Sequence, residues 1–496
     1  MRIVRATVLL TALTLFAASC SSDSGGAATT GAKVDTTAVA ADTAAPDTAA
    51  PDATASETTD PDTTDPETTV APVETPPAAA EGVTVGPDDR LIPAPCQGDN
   101  VADEASGVAA DSVNVASLSI DFETLAAIGF AASGTDIRQF FQVLVDDLNA
   151  KGGVCGRTIN YQGVLYDRLA NEGGKGCLQV TKDVTTLIVL SQGGTPEAVC
   201  AAETGAVTYS QHDFSKVATD GVIDHLFVAY PTVDDQYRAT IEYAIQTGQL
   251  EGKKVGVWYG GIFPDQNEAF EKGSIPLLDA AGIDYKAFRT DFSGPNDPQG
   301  NAALLAAATE FASSKIDVLL DFTGTTNHTG IQNELAAQGV IPIWIGAPRS
   351  ANSSNEIFAK AAGVEQIANG EQVISFTKSI SDVQAGDNKA LASCHKQFTA
   401  LGLPAIPEKT FDYSAAANMC FQFDMVVAAL SVAGGDLSRE TMARAMEQLP
   451  PQVTARSFNP QQFTAEQHFS VAKWGILNYD GATNTYSTGE NFELEG

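Results

Sequence analysis

The chain is short of positive charge. Its 496 residues carry 28 Lys and Arg against 62 Asp and Glu, a net of −34. Such a deficit argues against nucleic acid and an anionic membrane surface as direct partners, since both call for basic patches that displace counterions. Histidine is also scarce. His212, His225, His328, His395 and His468 are scattered, and no two stand at i, i+4, so no metal site is expected. There is no CxxC pair; His395 beside Cys394 is a lone adjacency. No GxSxG, Walker or GxGxxG pattern occurs, which leaves nucleophile-elbow and phosphate-loop chemistry without their usual frame. Neither a catalytic residue nor a cofactor is expected. Trp258, Trp344 and Trp474 lie in or beside apolar strands and are expected in the core. No apolar run of membrane length is read after residue 20, so no spanning helix is expected beyond it.

The amino end supplies what the rest lacks. Arg2 and Arg5 precede an apolar stretch, Val8–Ala18, too short to span a bilayer stably, and the segment ends Ala17-Ala18-Ser19-Cys20. Small residues directly before a cysteine resemble a bacterial lipobox: 1–20 reads as a lipoprotein signal segment cut before Cys20, the lipidated first residue of the mature protein. Ser21–Arg90 follows, a Thr, Ala, Pro and Asp tract with 14 acidic and 2 basic residues and no aromatic side chain. It cannot bury enough apolar surface to offset chain entropy and is expected to be an extended, disordered tether. The chain after it remains acidic and is long enough for two lobes.

Six cysteines remain once Cys20 is set aside, an even number in an exported chain. Three disulfides are therefore expected, with fifteen connectivities open in principle. Joining neighbouring elements gives Cys96–Cys155, Cys177–Cys200 and Cys394–Cys420.

From Val113 onward the pattern alternates strand and helix. Val113–Ile120, Thr158–Tyr166, Leu187–Leu190 and the stretch ending at Tyr209-Ser210 read as strands. Phe140–Leu148 and Gly176–Val184 read as helices between them, and Thr195-Pro196-Glu197 opens another, with Thr195 as N-cap. The alternation repeats through the strands Lys253–Tyr259, Asp284–Thr290, Ile316–Phe322 and Pro342–Ile345. This predicts an α/β class with two doubly wound parallel sheets. Ligands bind such sheets beyond the carboxyl ends of strands, against helix N-termini. Ser191–Thr195 and Tyr209–Gln211 are thus candidates for one wall of a small-molecule site.

Ser112 to the carboxyl end resembles the type I periplasmic solute-binding proteins, most closely the branch of leucine/isoleucine/valine-binding proteins of ABC importers. The resemblance rests chiefly on LNAKGGVCGRTINYQGVLYD (Asn149, Gly152-Gly153, Gly156, Asp167), with KKVGVWYG at the start of a second lobe and LNYDGATNTY near the end. It implies two lobes joined by three crossovers. After an extension over 91–111, lobe one would comprise 112–229 and 378–451, and lobe two 230–377 and 452–488. It implies a binding lipoprotein, not an enzyme, that closes on one small polar organic solute (an amino acid, amide or carboxylate). Such a protein would be monomeric, anchored to the outer face of the bacterial membrane and partnered by an ABC permease. A ligand sensor of the same fold is the alternative.

The residues that this resemblance implies at the ligand are Asp121, Phe122, Ser191, Gln192, Gly193, Thr195, Tyr209, Ser210 and Gln211 from lobe one. Lobe two would add Phe263, Thr325 and Arg349. Arg349 departs from the family, which places an acid there for the ligand's ammonium, and it would favour an anionic group instead. Asp121 or Glu123 is then the candidate for the ammonium.

Overall fold

A computed structural model describes residues 82–124, 136–168, 170, 172–192, 194–219, 221–260, 264–291, 298–323, 325–348, 356, 363–470 and 473–492. Cys20 and residues 21–81 of the expected tether lie outside them; its last stretch, 82–90, is not a disordered tether, since it holds the strand Thr84–Val85 and Arg90 bonds Asp424. The described chain opens with a small hairpin, β1 (Thr84–Val85) and β2 (Leu91–Ile92). The alternating region follows: β3 (Ser112–Ile120), α1 (Arg138–Ala150), β4 (Thr158–Tyr166), α2 (Gly173–Leu178), β5 (Ile188–Ser191), α3 (Thr195–Glu203), β6 (Val207–Ser210) and β7 (Leu226–Val228). All five strands from β3 to β7 are parallel and lie in the order β4-β3-β5-β6-β7.

The chain then builds a second sheet. Its elements are α4 (Val233–Gln246), β8 (Val255–Tyr259), α5 (Pro264–Ala269), α6 (Ile275–Ala280), β9 (Tyr285–Arg289), α7 (Pro298–Ser314), β10 (Val318–Phe322), α8 (Thr325–Ala337), β11 (Ile343–Gly346) and β12 (Gln372–Ser375). Three helices come next: α9 (Lys389–Ala400), α10 (Phe411–Ala433) and α11 (Arg439–Glu447). A terminal pair, β13 (Trp474–Asp480) and β14 (Thr485–Phe492), adds antiparallel to β12. The sheet order is β14-β13-β12-β11-β10-β8-β9. Counting from each lobe's first strand, both parallel cores run 2-1-3-4-5, the doubly wound order whose switch point flanks the first strand.

Both sheets are covered on both faces, which is why their strands read as near-continuous apolar runs rather than alternating ones. In lobe one, the face bearing Val113, Val115, Ile188 and Leu190 packs on α1, α9 and α10. The face bearing Ala116, Leu118 and Val189 packs on α2 and α3. Lobe two repeats this, with Val255, Val257 and Leu320 against α4 and Trp258, Leu319 and Trp344 against α7 and α8. Trp258, Trp344 and Trp474 are all buried. Helix α10 corrects one expectation. It is long and apolar enough to cross a membrane by length and composition, although its stretch is interrupted by Asp424, and 83% of its most apolar window is buried. Its side chains fill lobe one's core, alongside α1 and α9.

Three passages connect the lobes. The first leaves β7 at Ala229 and enters α4 at Thr232, whose hydroxyl caps Asp235 N–H at 3.1 Å. The second leaves β12 and runs beside the third: Lys378 N–H donates to Arg456 C=O at 2.8 Å, and Arg456 Nε donates back to Lys378 C=O at 2.9 Å. The third stays on lobe one's edge before it reaches β13. Gln461 Nε2 donates to Ala229 C=O at 2.7 Å, and Ser470 N–H donates to Val228 C=O at 3.0 Å.

The segment before β3 is docked wholly on lobe one's elements. Arg90 forks onto Asp424 of α10 with two bonds of 2.7 Å and reaches Gln397 of α9 at 2.6 Å. Disulfides join Cys96 to Cys155, Cys177 to Cys200 and Cys394 to Cys420. Arg157 is buried without a carboxylate. Its guanidinium donates instead to the carbonyls of Ala109, Gly434, Val101 and Gly435, at 2.9 to 3.1 Å. Burial lowers its pKa below the usual guanidinium value. The turn that presents it needs Gly153: φ is +73°, and a Cβ there would meet Arg157 C=O at 1.9 Å.

Candidate functional site

The register of lobe one's strands decides which candidate residues meet. Leu118 of β3, Ser191 of β5 and Ser210 of β6 are paired neighbours across the sheet. The loops that follow therefore leave from one end, and backbone bonds hold them together: Gln192 N–H to Leu118 C=O at 2.9 Å, Gln211 N–H to Ser191 C=O at 3.1 Å. Asp121 follows β3 at the same end, with its N–H on Tyr166 C=O at 2.9 Å. Asp121, Phe122, Gln192, Thr195 and Gln211 thus follow the carboxyl ends of β3, β5 and β6, and Ser191, Tyr209 and Ser210 lie in the last residues of β5 and β6.

Their side chains are differently occupied. Asp121 Oδ1 accepts from Glu123 N–H at 3.1 Å, so the carboxylate closes its own turn. Phe122 packs edge-on against Phe411 at the start of α10, ring centroids 5.0 Å apart. Gln192 Nε2 points at Met419 Sδ, 3.6 Å away, a weak acceptor. Tyr209 turns into the core. Its hydroxyl donates to Gln461 at 3.0 Å, and burial raises its pKa. Ser191 and Ser210 are both fully buried. Ser210 Oγ has no hydrogen-bond partner among the described residues.

The start of α3 departs from expectation. Thr195 is not the N-cap. Gly194 takes that position in extended conformation, and Thr195 Oγ1 donates to Asp213 C=O at 3.3 Å. The loop after β6 competes for the hydroxyl, and Gly needs no side-chain cap. Two residues outside the candidate set complete this corner. Tyr166, last in β4, accepts from Gly194 N–H at 3.3 Å. Glu197 is buried in α3's first turn, where a carboxylate is favoured. It packs so closely on Gly173 that a Cβ there would lie 1.9 Å from Oε1. Burial, then the Glu197 charge, raise the Tyr166 pKa. A Pro-Glu at a helix start was legible as a helix signal; its closeness to Tyr166 was not, because only the β4–β3–β5 order brings the two together.

Of the lobe-two candidates, Phe263 and Arg349 lie outside the described residues, as does Gly193 of lobe one. Thr325 is the first residue of α8. Asp321, at the end of β10, accepts from Thr323 N–H at 2.8 Å and Thr323 Oγ1 at 2.7 Å. Its other oxygen meets His328 Nδ1 in α8's first turn. His328 Nε2 lies 3.0 Å from Glu371, which also takes Gln332 Nε2 at 3.1 Å and Tyr486 OH at 3.3 Å. Asp321, His328 and Glu371 are fully buried. Burial alone would lower the imidazole pKa; the charges of Glu371 and Asp321 outweigh it and raise it to about 10. The buried group is an imidazolium between two carboxylates. It ties the β10–α8 turn to β12 and β14. Nothing in the spacing of Asp321, His328 and Glu371 announces this.

Two other clusters are accounted for without a ligand. Cys394, Cys420 and Asp424 lie close enough to hold a metal ion, but the sulfurs form a disulfide and the carboxylate is held by Arg90. A cavity of about 430 Å³ lies where Lys216, Thr232, Asp235, Glu466 and His468 converge. It sits beside the first passage between lobes, and His468 there is spent on Ile223 C=O and Glu447.

No protein-family model matches the chain, and no curated protein matches it in sequence. Solved structures do match in fold. A fatty acid ABC transporter substrate-binding protein from Thermomonospora curvata superposes with a TM-score of 0.56 at 18% identity, covering 83% of this chain and 97% of that one. An ABC transporter solute-binding protein from R. palustris, in complex with benzoate, gives 0.55 at 15% identity over 77% and 96%. A leucine binding protein from Thermotoga maritima gives 0.56 at 14% identity over 77% and 99%. Two 2-1-3-4-5 sheets with three passages between them, matched over nearly the whole length of such proteins, give this chain the type I periplasmic-binding-protein fold.

Proposed function

We propose that this protein is the extracytoplasmic substrate-binding lipoprotein of an ABC importer. It captures a small carboxylate-bearing solute between its lobes by hinge closure and presents the closed form to a permease. The doubled sheet carries this reading. Two equivalent switch points on one chain, joined by three passages, are built for a ligand held by both lobes. The ligands named for proteins of similar fold support the chemistry: benzoate, leucine, isoleucine and 3,4-dihydroxy benzoic acid. All four carry a carboxylate. The lobe-one rim offers a neutral donor for one in the unpartnered Ser210 hydroxyl, beside a helix start. Cys20 and the acidic tract after it support a lipid anchor at the outer face of the membrane. Lobe one as 112–229 with 378–451, and lobe two as 230–377 with 452–488, is the division of labour we infer, with the ligand contacts on the rim residues above together with Phe263, Thr325 and Arg349.

The test is thermal. A ligand that binds only the folded form stabilises it by about 2.7 kcal/mol at a hundredfold excess over Kd. Leucine, isoleucine, benzoate and 3,4-dihydroxybenzoate, each added at millimolar concentration, should include at least one that raises the melting temperature of the full chain. No shift with any, and no small molecule released on denaturation of freshly purified protein, overturns the reading.

A further inference from the structure

The loop after β6 belongs to lobe one's rim, yet it is bonded to lobe two's first helix. Val233 N–H donates to Phe214 C=O at 2.8 Å. Lys216 N–H donates to Asp234 Oδ2 at 2.9 Å, and Lys216 Nζ reaches Asp235 Oδ1 at 3.3 Å. That ion pair is well exposed and screened, so it contributes little. Gln236 is different. It is fully buried in α4. Its Nε2 has two hydrogens to give, and both are used: one on Pro231 C=O in the first passage between lobes, one on Asp213 Oδ1 in the loop, each at 3.0 Å. The second is a bond to a carboxylate, the stronger kind. Asp213 in turn accepts Thr195 Oγ1 on its carbonyl. A continuous path therefore runs from the interlobe passage through Gln236, Asp213 and Thr195 to the first turn of α3.

We propose that Gln236 of lobe two is a positioning residue for the lobe-one binding wall, holding the 211–216 loop and the start of α3 through Asp213. Its meaning for ligand capture rests on the function proposed above; the coupling itself needs no ligand. The geometry makes lobe two's helix part of the support of the opposite wall. Rotation of α4 about the first passage then shifts Asp213 and, with it, the hydroxyl of Thr195.

Amide hydrogen exchange on the full, ligand-free chain tests this. Gln236→Glu keeps the shape and replaces the donor with a carboxylate facing Asp213. It should speed exchange about tenfold both in 211–216 and in 194–198, which lie in the other lobe, and leave the sheet strands unchanged. Adding Asp213→Asn restores a donor to the pair from the other side and should bring both segments back to within about threefold of wild type. If Gln236→Glu does not fold, Asp213→Ala should reproduce the effect in both segments. Faster exchange in 211–216 alone overturns the proposal, as does a uniform rise across lobe two, which is the sign of a merely structural role. A silent ligand panel would leave this result standing, so the two readings fail separately.

Discussion

The two lobes share one topology and are braced by different chemistry. All three disulfides lie in lobe one or in the segment docked on it: Cys96–Cys155 at the β4 turn, Cys177–Cys200 between α2 and α3, Cys394–Cys420 between α9 and α10. Among the described residues lobe two has no disulfide. Its counterpart is the buried Asp321–His328–Glu371 cluster, which gathers β10, α8, β12 and β14 without a covalent bond. The same sheet order can thus be fastened by a bond sensitive to reductant or by a proton held between carboxylates. If that contrast is real, reductant and alkali should attack opposite lobes.

Reduction should have the largest effect. Each disulfide closes a loop of 23 to 59 residues, worth about 3–4 kcal/mol in the chain-entropy account. Calorimetry in reductant should show lobe one melting first, and exchange should rise in β3–β7 before β8–β12. A single unsplit transition at a barely shifted temperature would erase the contrast.

His328→Ala comes next, because it leaves two buried carboxylates facing each other without a cation. A loss of about 3–5 kcal/mol is expected, confined to lobe two and read by urea unfolding. The pH dependence sharpens the same point. The folded pKa, about 10, lies above the unfolded value near 6.5. The stabilisation is therefore fully present below pH 6.5 and is lost as pH rises through 10. Melting curves across that window should show lobe two weakening while the disulfide-braced lobe holds.

Arg90→Ala should cost less, about 2–3 kcal/mol, since it removes charged hydrogen bonds to Asp424 at a site only partly closed to water. The loss belongs to lobe one. Proteolysis of the hairpin β1–β2 should follow it. Ser210→Ala should be the smallest: within about 0.5 kcal/mol of wild type or slightly stabilising, because the hydroxyl it removes is buried and unpartnered. Affinity for whichever carboxylate the ligand panel identifies should nonetheless fall. If stability drops instead, the hydroxyl is a structural donor and the rim loses that residue.

The disulfide half of this contrast was legible in the sequence, and the reasons differ by residue. Thr158–Tyr166 coincides with the expected strand, because its apolar patterning follows a turn glycine, Gly156, and stops at Asp167. Both repeats of the strand–helix alternation were visible, as was the even cysteine count. Helix boundaries slipped where tertiary bonds override local signals. Thr195 lost its capping role to Gly194 because Asp213, eighteen residues on, claimed its hydroxyl. Helix α10 reads as apolar on nearly every face, so neither its membrane-like character nor its place in the core could be separated by periodicity alone. Gln236, His328 and Arg157 were silent. Each is a polar residue whose partners are distant in sequence and adjacent only through the sheet order.

Helix α10 has a consequence for the journey that the proposed location requires. A chain threaded through a translocation channel is sampled by the lipid beside it, and a segment this apolar risks being retained as a stop. An aspartate near the middle of such a segment adds about 2.5–3.5 kcal/mol against lateral escape. Asp424 stands there, thirteen residues into a 23-residue helix. On the proposed route Asp424 would be unpaired in transit and would oppose retention of the segment; in the fold, Arg90 holds it with two bonds. One carboxylate would then serve as a passport first and a fastening afterwards.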